Sequence, residues 1–253
     1  MLENISDYIP TGIQLTYLVA ASLFIVGLKQ MGSPATARQG NFLGAIAMLL
    51  AVVATLLDKQ VLSYGLILIA IAIGSTIGAL IAYKVAMTDM PQMVGLLNGL
   101  GGLASSLVAV GAYWQVISHG QTLALADNLS IIISILIGNI TFTGSMVAFA
   151  KLQGIIKGAP IRFAYQQTIN ILLLAAFAFG SILLIIDPTD FAGFIGINVV
   201  SLLVGVLFVI PIGGGDMPVV ISLLNSLSGV AASAAGFVVM NNVLIISGAL
   251  VGA

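Results

Sequence analysis

The chain lacks cysteine entirely and carries a single histidine, His119, among its 253 residues. No disulfide framework or thiolate metal site can be built from it, and one imidazole excludes a multi-histidine centre. Charge is scarcer than in ordinary globular proteins. Only 6% of residues are charged and 60% are hydrophobic, where a soluble domain has roughly a quarter of its residues charged. Water therefore cannot be the principal solvent of the folded chain. The formal net charge is −1 with no basic cluster, which argues against a nucleic-acid partner. Glu3 and Asp7 precede the first apolar run without a Lys or Arg, so that run lacks the basic start of a secretory signal and reads as a retained helix.

What is present is a succession of long apolar runs. They fall at about 10–29, 40–57, 61–83, 91–115, 129–150, 167–186, 190–210, 217–240 and 242 onward, separated by short charged or Gly/Pro-marked turns. Each of the first eight approaches the roughly 20 residues that a helix needs to cross a bilayer core. The expected fold is an all-α polytopic transmembrane bundle of nine helices occupying 1–253, the last one truncated because Asn242 to Ala253 is too short to cross.

Alternating the sides of these runs puts Lys29, Arg38, Lys84, Lys151, Lys157 and Arg162 on one side and Lys59 alone on the other. By the positive-inside rule the N-terminus is outside and the C-terminus cytoplasmic. The acids sort oppositely, with Asp89 and Asp216 inside and Glu3, Asp7, Asp58, Asp127, Asp187 and Asp190 outside.

An internal repeat appears at an offset of 127 residues. Asp89-Met90-Pro91 and Leu96-Leu97-Asn98 align with Asp216-Met217-Pro218 and Leu223-Leu224-Asn225, and Leu100, Gly102, Ala104 and Ser106 meet Leu227, Gly229, Ala231 and Ser233. Four helices separate the copies, so the repeat is parallel. Asp before Met-Pro is suited to cap a helix whose first turn tolerates proline. Equally, Asp216 after Gly213-Gly214-Gly215 can be a charged contact on a flexible inner loop.

Asn98 and Asn225 each lie seven residues past their proline, about 10 Å inside the membrane at 1.5 Å per residue. Ser145, six residues before Lys151, reaches a similar depth. The three can form one polar layer, as interhelical hydrogen-bonding groups or as a polar vestibule for protons. Asn139, Thr141 and Thr143 carry polarity towards the bilayer centre. Asn139 and Thr143 share one helix face and Thr141 and Ser145 the opposite one, so this fifth helix is expected to be surrounded by protein. No ionisable residue falls within an expected span, the usual mark of a proton relay. His119 reads as a solvated loop residue. Gly99-Leu100-Gly101-Gly102-Leu103-Ala104 formally fits a dinucleotide pattern but sits within a membrane helix, where it means nothing without a strand before it. Pairs such as Gly74/Gly78, Gly95/Gly99 and Ser222/Ser226 read as close helix contacts.

Thr88-Asp89-Met90-Pro91, Thr141-Phe142-Thr143-Gly144-Ser145 and Gly214-Gly215-Asp216-Met217-Pro218-Val219-Val220 with Leu224-Asn225-Ser226 closely resemble the membrane domain of the beta subunit of proton-translocating nicotinamide nucleotide transhydrogenase. The similarity runs along essentially the whole chain, and Gly248-Ala249-Leu250-Val251-Gly252 resembles that family's last membrane helix. The resemblance implies an enzyme that transfers hydride between NAD(H) and NADP(H) and couples this to proton movement. This chain would be its proton-channel domain, binding no cofactor and no metal and holding no catalytic residue. NAD(H) would bind a soluble domain on the alpha side, which also brings membrane helices. NADP(H) would bind a soluble domain C-terminal to this segment, and the complex would be a dimer of protomers in a bacterial cytoplasmic (inner) membrane.

By the same resemblance, Asn98 stands where family members carry a histidine linked to proton translocation, Asn225 matches a second polar channel residue, and Ser145 is pore-lining; Asn139 and Thr141, from their own place on the fifth helix, would extend the pathway. Asp216 matches the inner-loop aspartate that senses the NADP(H) domain, and Asp89 is its counterpart in the repeat. Asparagine does not titrate, so Asn98 would orient water while a partner subunit or soluble domain supplies the ionisable group. Two other readings remain open: a small secondary transporter or ion channel built on a parallel repeat, and a structural membrane-assembly subunit.

Overall fold

A computed structural model describes residues 3–57, 64–121 and 123–253, with the side chains of 3–9 left out. Among these residues the chain is all helical: α1 (Glu3–Met31), α2 (Ala37–Leu56), α3 (Tyr64–Lys84), α4 (Met90–Ser118), α5 (Leu125–Leu152), α6 (Gln166–Ile186), α7 (Phe191–Val209), α8 (Met217–Val238) and α9 (Asn242–Gly252). Eight of them are long and apolar enough to cross a membrane, while the 11-residue α9 is not. The expected runs and these helices coincide to within a few residues, except that α1 starts earlier and α4 and α5 are longer at both ends. Asp58 and Lys59, which the charge argument uses, lie outside the described residues.

The helices begin and end where local chemistry says they should. Asp190 accepts from the Gly193 amide at 3.0 Å and Asn241 from the Leu244 amide at 3.0 Å, each capping its helix. Past the ends of α4 and α5, Gly120 and Gly154 take φ of +65° and +73°, a left-handed turn that costs glycine little.

The chain divides into two compact units, Met1–Val85 and Ala86–Ala253. In the first, α1 packs on α2 through glycine. A Cβ on Gly40 would lie 2.6 Å from the Gly27 carbonyl oxygen, so only two bare backbones fit there. Tyr17 and Thr55 share a hydrogen bond of 2.9 Å further along the pair. No residue of α3 is buried.

The second unit is built around α5, which touches α4, α7 and α8 and has more buried residues than any other helix. Its expected enclosure by protein is therefore observed. Two apolar clusters lie at different levels of α5. One joins Ile131, Ile132 and Ile135 to Ala109, Tyr113, Phe177, Leu184, Phe194 and Ile197. The other joins Val147 and Ala148 to Val209, Met217, Val220, Ile221 and Leu224. Between these levels the buried residues of α5 are two glycines and the polar Asn139, Thr141 and Ser145. Six residues of helix separate the ends of this polar belt, about 9 Å along the axis.

Candidate functional site

The belt sits where α4 and α5 approach most closely. Cβ atoms built on Gly102 and Gly138 would each lie under 3 Å from the other's carbonyl oxygen, at 2.8 and 2.7 Å. Gly99 would likewise meet the Ser145 side chain at 3.2 Å and the Phe142 carbonyl at 3.3 Å. The Gly99-to-Ala104 segment is thus a packing surface, which backbone-to-backbone contact requires in a medium where apolar burial supplies little drive between helices. Gly95 also touches a neighbour, Ile221 at 3.4 Å, as expected of it. Gly74 and Gly78 do not. Among the described residues nothing lies within 4 Å of a Cβ at either position, so their expected helix contact is not seen there.

Close approach brings Asn98 of α4 and Ser145 of α5 together. Asn98 Nδ2 donates to Ser145 Oγ at 3.0 Å, with both residues buried. Asn98 Oδ1 and Thr141 Oγ1 are also buried and have no partner among the described residues. Thr141 packs against the Gly102 backbone, one turn along α4 from Asn98. The face of α5 that carries Thr141 and Ser145 is thus turned to α4 and retains hydrogen-bonding capacity that the chain does not use.

The opposite face of α5 is turned to α7, as the 100° spacing requires. Thr143 Oγ1 lies 2.8 Å from the Leu202 carbonyl and 3.0 Å from the Asn139 carbonyl, its single proton shared between them. Asn139 links three helices. Its Oδ1 accepts from Ser106 Oγ of α4 at 2.7 Å, and its Nδ2 donates to Ser201 Oγ at 2.8 Å and Asn198 Oδ1 at 3.2 Å on α7. Ser201 and Asn198 were not among the candidate residues, and Ser106 entered only as a repeat identity. An asparagine in mid-span is the same signal that singles out Asn98, so Asn198 was findable. The serines were not, because a lone serine in a membrane helix most often bonds its own backbone.

Asn225 does not join this layer. It is exposed on α8, while its neighbour Leu224 is fully buried against α5. The expectation that Asn98, Asn225 and Ser145 face one interior is therefore corrected. One residue step is 100° around a helix, and the α8 face that packs on α5 contains Val220, Ile221 and Leu224.

The two repeat copies do share their opening geometry. A 3-10 turn, Met87–Asp89 in one and Gly214–Asp216 in the other, precedes each helix. The aspartates have nearly the same backbone, φ −94°, ψ 1° for Asp89 and φ −92°, ψ −2° for Asp216, with proline in the first turn. Neither side chain caps its helix. Asp89 accepts from Gln92 Nε2 at 2.9 Å, whereas Asp216 is exposed and its carboxylate has no hydrogen-bond partner among the described residues. Of the two readings of Asp216, the cap is not used and the free carboxylate remains. His119 follows α4, is exposed, and bonds through Nδ1 to the Gln115 carbonyl at 2.7 Å.

The helices run past the expected spans and take in Lys29, Arg38, Lys84, Asp127 and Lys151 near their ends, and of these five only Lys151 is buried. α5 runs on to Leu152, and Lys151 in its last turn is only 4% exposed. Its Nζ donates to the carbonyls of Ile210 and Ile212, both at 2.6 Å.

The family model for the NAD(P) transhydrogenase beta subunit matches residues 13–253. Two curated relatives, both named NAD(P) transhydrogenase subunit beta and both from Rhodospirillum rubrum, are 42% identical over 240 residues. That match covers 93% of this chain and 52% of each relative, so the chain spans about half the length of the curated relatives it matches.

Proposed function

This chain belongs to the NAD(P) transhydrogenase beta subunit family, and from that premise we propose that it is the proton-translocating membrane component of a NAD(P) transhydrogenase. In the assembled enzyme it couples hydride transfer between NADH and NADP+ to proton movement across a bacterial cytoplasmic membrane. The observation that carries this reading is the Asn98–Ser145 pair with the unpartnered Asn98 Oδ1 and Thr141 Oγ1 beside it. Polar atoms buried without a partner cost about 1–3 kcal/mol each. Two such atoms within one turn of each other at a single helix joint leave an acceptor and a hydroxyl open to water, which a route that passes protons through water needs.

Asn98 does not titrate, so its role is to orient water through Oδ1 while its amide is held by Ser145. Thr141 and Ser145 supply hydroxyls that both donate and accept, and Asn139 holds α4, α5 and α7 in register around them. The titrating group comes from outside this chain. Asn225, exposed on α8, faces where membrane helices of the alpha side complete the pathway. The free carboxylate of Asp216 meets the NADP(H) domain, Asp89 supports the corresponding turn of the first copy, and the nucleotides bind partner domains. The cytoplasmic placement of both aspartates follows from the distribution of basic residues along the chain.

The test uses the assembled enzyme in sealed vesicles, with hydride transfer followed by nucleotide absorbance and proton movement by an internal pH dye. Ser145→Ala and Asn98→Ala are expected to lower proton movement at least tenfold while nucleotide binding is retained. Proton movement at the unsubstituted rate in both variants sinks the pathway assignment.

A further inference from the structure

Lys151 is a buried lysine whose partners are all backbone carbonyls. Besides the oxygens of Ile210 and Ile212 at 2.6 Å, its Nζ reaches that of Ala159 at 3.5 Å. An ammonium has three donors and no acceptor, and here three carbonyls converge on it. Ile210 is the residue that closes α7 and Ile212 follows it. The last carbonyls of a helix have no intrahelical donor and carry the negative end of its dipole, so a cation is the side chain best suited to meet them.

The same place joins two loops. The Ile161 amide donates to the Ile210 carbonyl at 3.3 Å, and the Gly214 amide donates to the Gly158 carbonyl at 2.7 Å. Residues 158–161, between α5 and α6, are thereby tied to residues 210–214, between α7 and α8, with the Lys151 ammonium at their junction. At the far end of the second loop Met217 is fully buried against Val147 and Ala148 of α5. Gly213-Gly214-Gly215 would be the most freely moving stretch of the chain on composition alone. In the structure it is anchored to α5 on both flanks, and Asp216 stands exposed between the anchors.

We propose that Lys151 is a positioning residue for coupling: its ammonium pins the loop that carries Asp216 to α5, the helix that carries Ser145 and Thr141. The inference rests on the functional reading above and assigns the connection between its two ends. Ser145 and Lys151 are six residues apart on one helix, about 9 Å of rigid rise. With Ile210 and Ile212 held by Lys151, Gly214 by the Gly158 carbonyl and Met217 against α5, the three glycines have little slack, and a displacement imposed on Asp216 moves α5 relative to α4.

The experiment compares Lys151→Met and Lys151→Gln with the unsubstituted chain in the assembled enzyme. Met keeps most of the unbranched stem, one atom short of lysine, and loses every donor. Gln keeps two donors but is too short to reach three carbonyls, and it remains informative if Met prevents assembly. Amide hydrogen exchange across residues 210–216 and protons moved per hydride transferred are both measured. The expected result is exchange at least tenfold faster in that segment, with protons per hydride falling at least threefold. Hydride exchange between bound nucleotides, which needs no proton route, should stay within twofold. Unchanged exchange overturns the pin. Faster exchange with an unchanged proton-to-hydride ratio shows a tether of structural value only and overturns the coupling role. The unsubstituted enzyme is a separate control: hydride transfer there without proton movement defeats the functional reading itself, and the coupling role with it.

Discussion

Asn98 and Asn225 occupy the same place in two copies of one motif, yet Asn98 is buried and donates to Ser145 while Asn225 faces outward. The copies open with the same 3-10 turn and the same aspartate backbone, so the difference arises in what each helix packs against. In α4 the glycines at 99 and 102 bring the Asn98 face down on α5, and Gly95 sits between Ile221 of α8 and Phe149 of α5. In α8 the matching positions are Ser222, Ser226 and Gly229. Gly229 there lies against Gly248 and Gly252 of α9, and Ser226 Oγ bonds the Gly252 carbonyl at 2.6 Å.

The two asparagines should therefore differ in stability as well as in function. Asn98→Ala removes a buried interhelical hydrogen bond and is expected to destabilise the chain by ~1 kcal/mol. Asn225→Ala, on an exposed position, should stay within about 0.5 kcal/mol. Unfolding midpoints in detergent, compared at equal chain concentration, check this, and equal losses for both would contradict the packing described.

Glycine at the α4–α5 contact can be tested against a neighbouring glycine on the same helix. Gly102→Ala places a methyl 2.8 Å from the Gly138 carbonyl oxygen and the Thr141 Cβ. Its cost should be ~1–3 kcal/mol or more, because backbone cannot step aside as a flexible side chain can. Gly101→Ala meets nothing within 4 Å and should be neutral or stabilising by up to ~1 kcal/mol through helix propensity. If the two substitutions behave alike, the segment is not the packing surface.

Asn139 offers the largest effect of a single polar side chain. Replacing it with Ala removes one partner each from Ser106, Ser201 and Asn198, which all meet its amide, and should cost ~2 kcal/mol or more. Ser106→Ala removes one bond and should cost ~1 kcal/mol. A double-mutant cycle between the two checks the link, with additive losses counting against it.

Asp187 lies between α6 and α7, outside the spanning segments, and its carboxylate is held below the ordinary carboxylate range first by the Thr189 hydroxyl at 2.6 Å and then by the Thr189 amide at 3.0 Å. A lowered folded-state value means that the contribution to stability is fully present above the unfolded carboxylate value of roughly 3.9 and is lost as pH falls through the lower folded value. Thr189→Ala removes the hydroxyl bond and leaves the amide, so the titration midpoint should move part of the way up. Carboxyl carbon NMR reads that midpoint, and no movement would rule out the hydroxyl as the main cause.

Much of this protein is determined by sequence alone. Hydropathy and length set eight spanning helices and a short ninth, because an apolar run with short polar turns has one economical conformation in a bilayer. Helical periodicity set the two polar faces of α5 and required its enclosure, since polar side chains on opposite faces cannot both avoid lipid unless protein lies on each side. The repeated Asp-Met-Pro likewise specified two closely similar helix starts. Those are local properties, read at 100° and 1.5 Å per residue.

Tertiary structure decided which faces meet. Helices such as α4 and α7 are apolar nearly all round, so nothing in their own pattern says which side turns inward. That choice belonged to the bare backbones of Gly102 and Gly138, which let α4 settle on α5 and carried Asn98 to Ser145, while α9 took the matching glycine of α8. The burial of Lys151 was decided in the same way. Its neighbours in sequence mark only the end of a helix, and the carbonyls that receive its ammonium come from the end of another helix some sixty residues away.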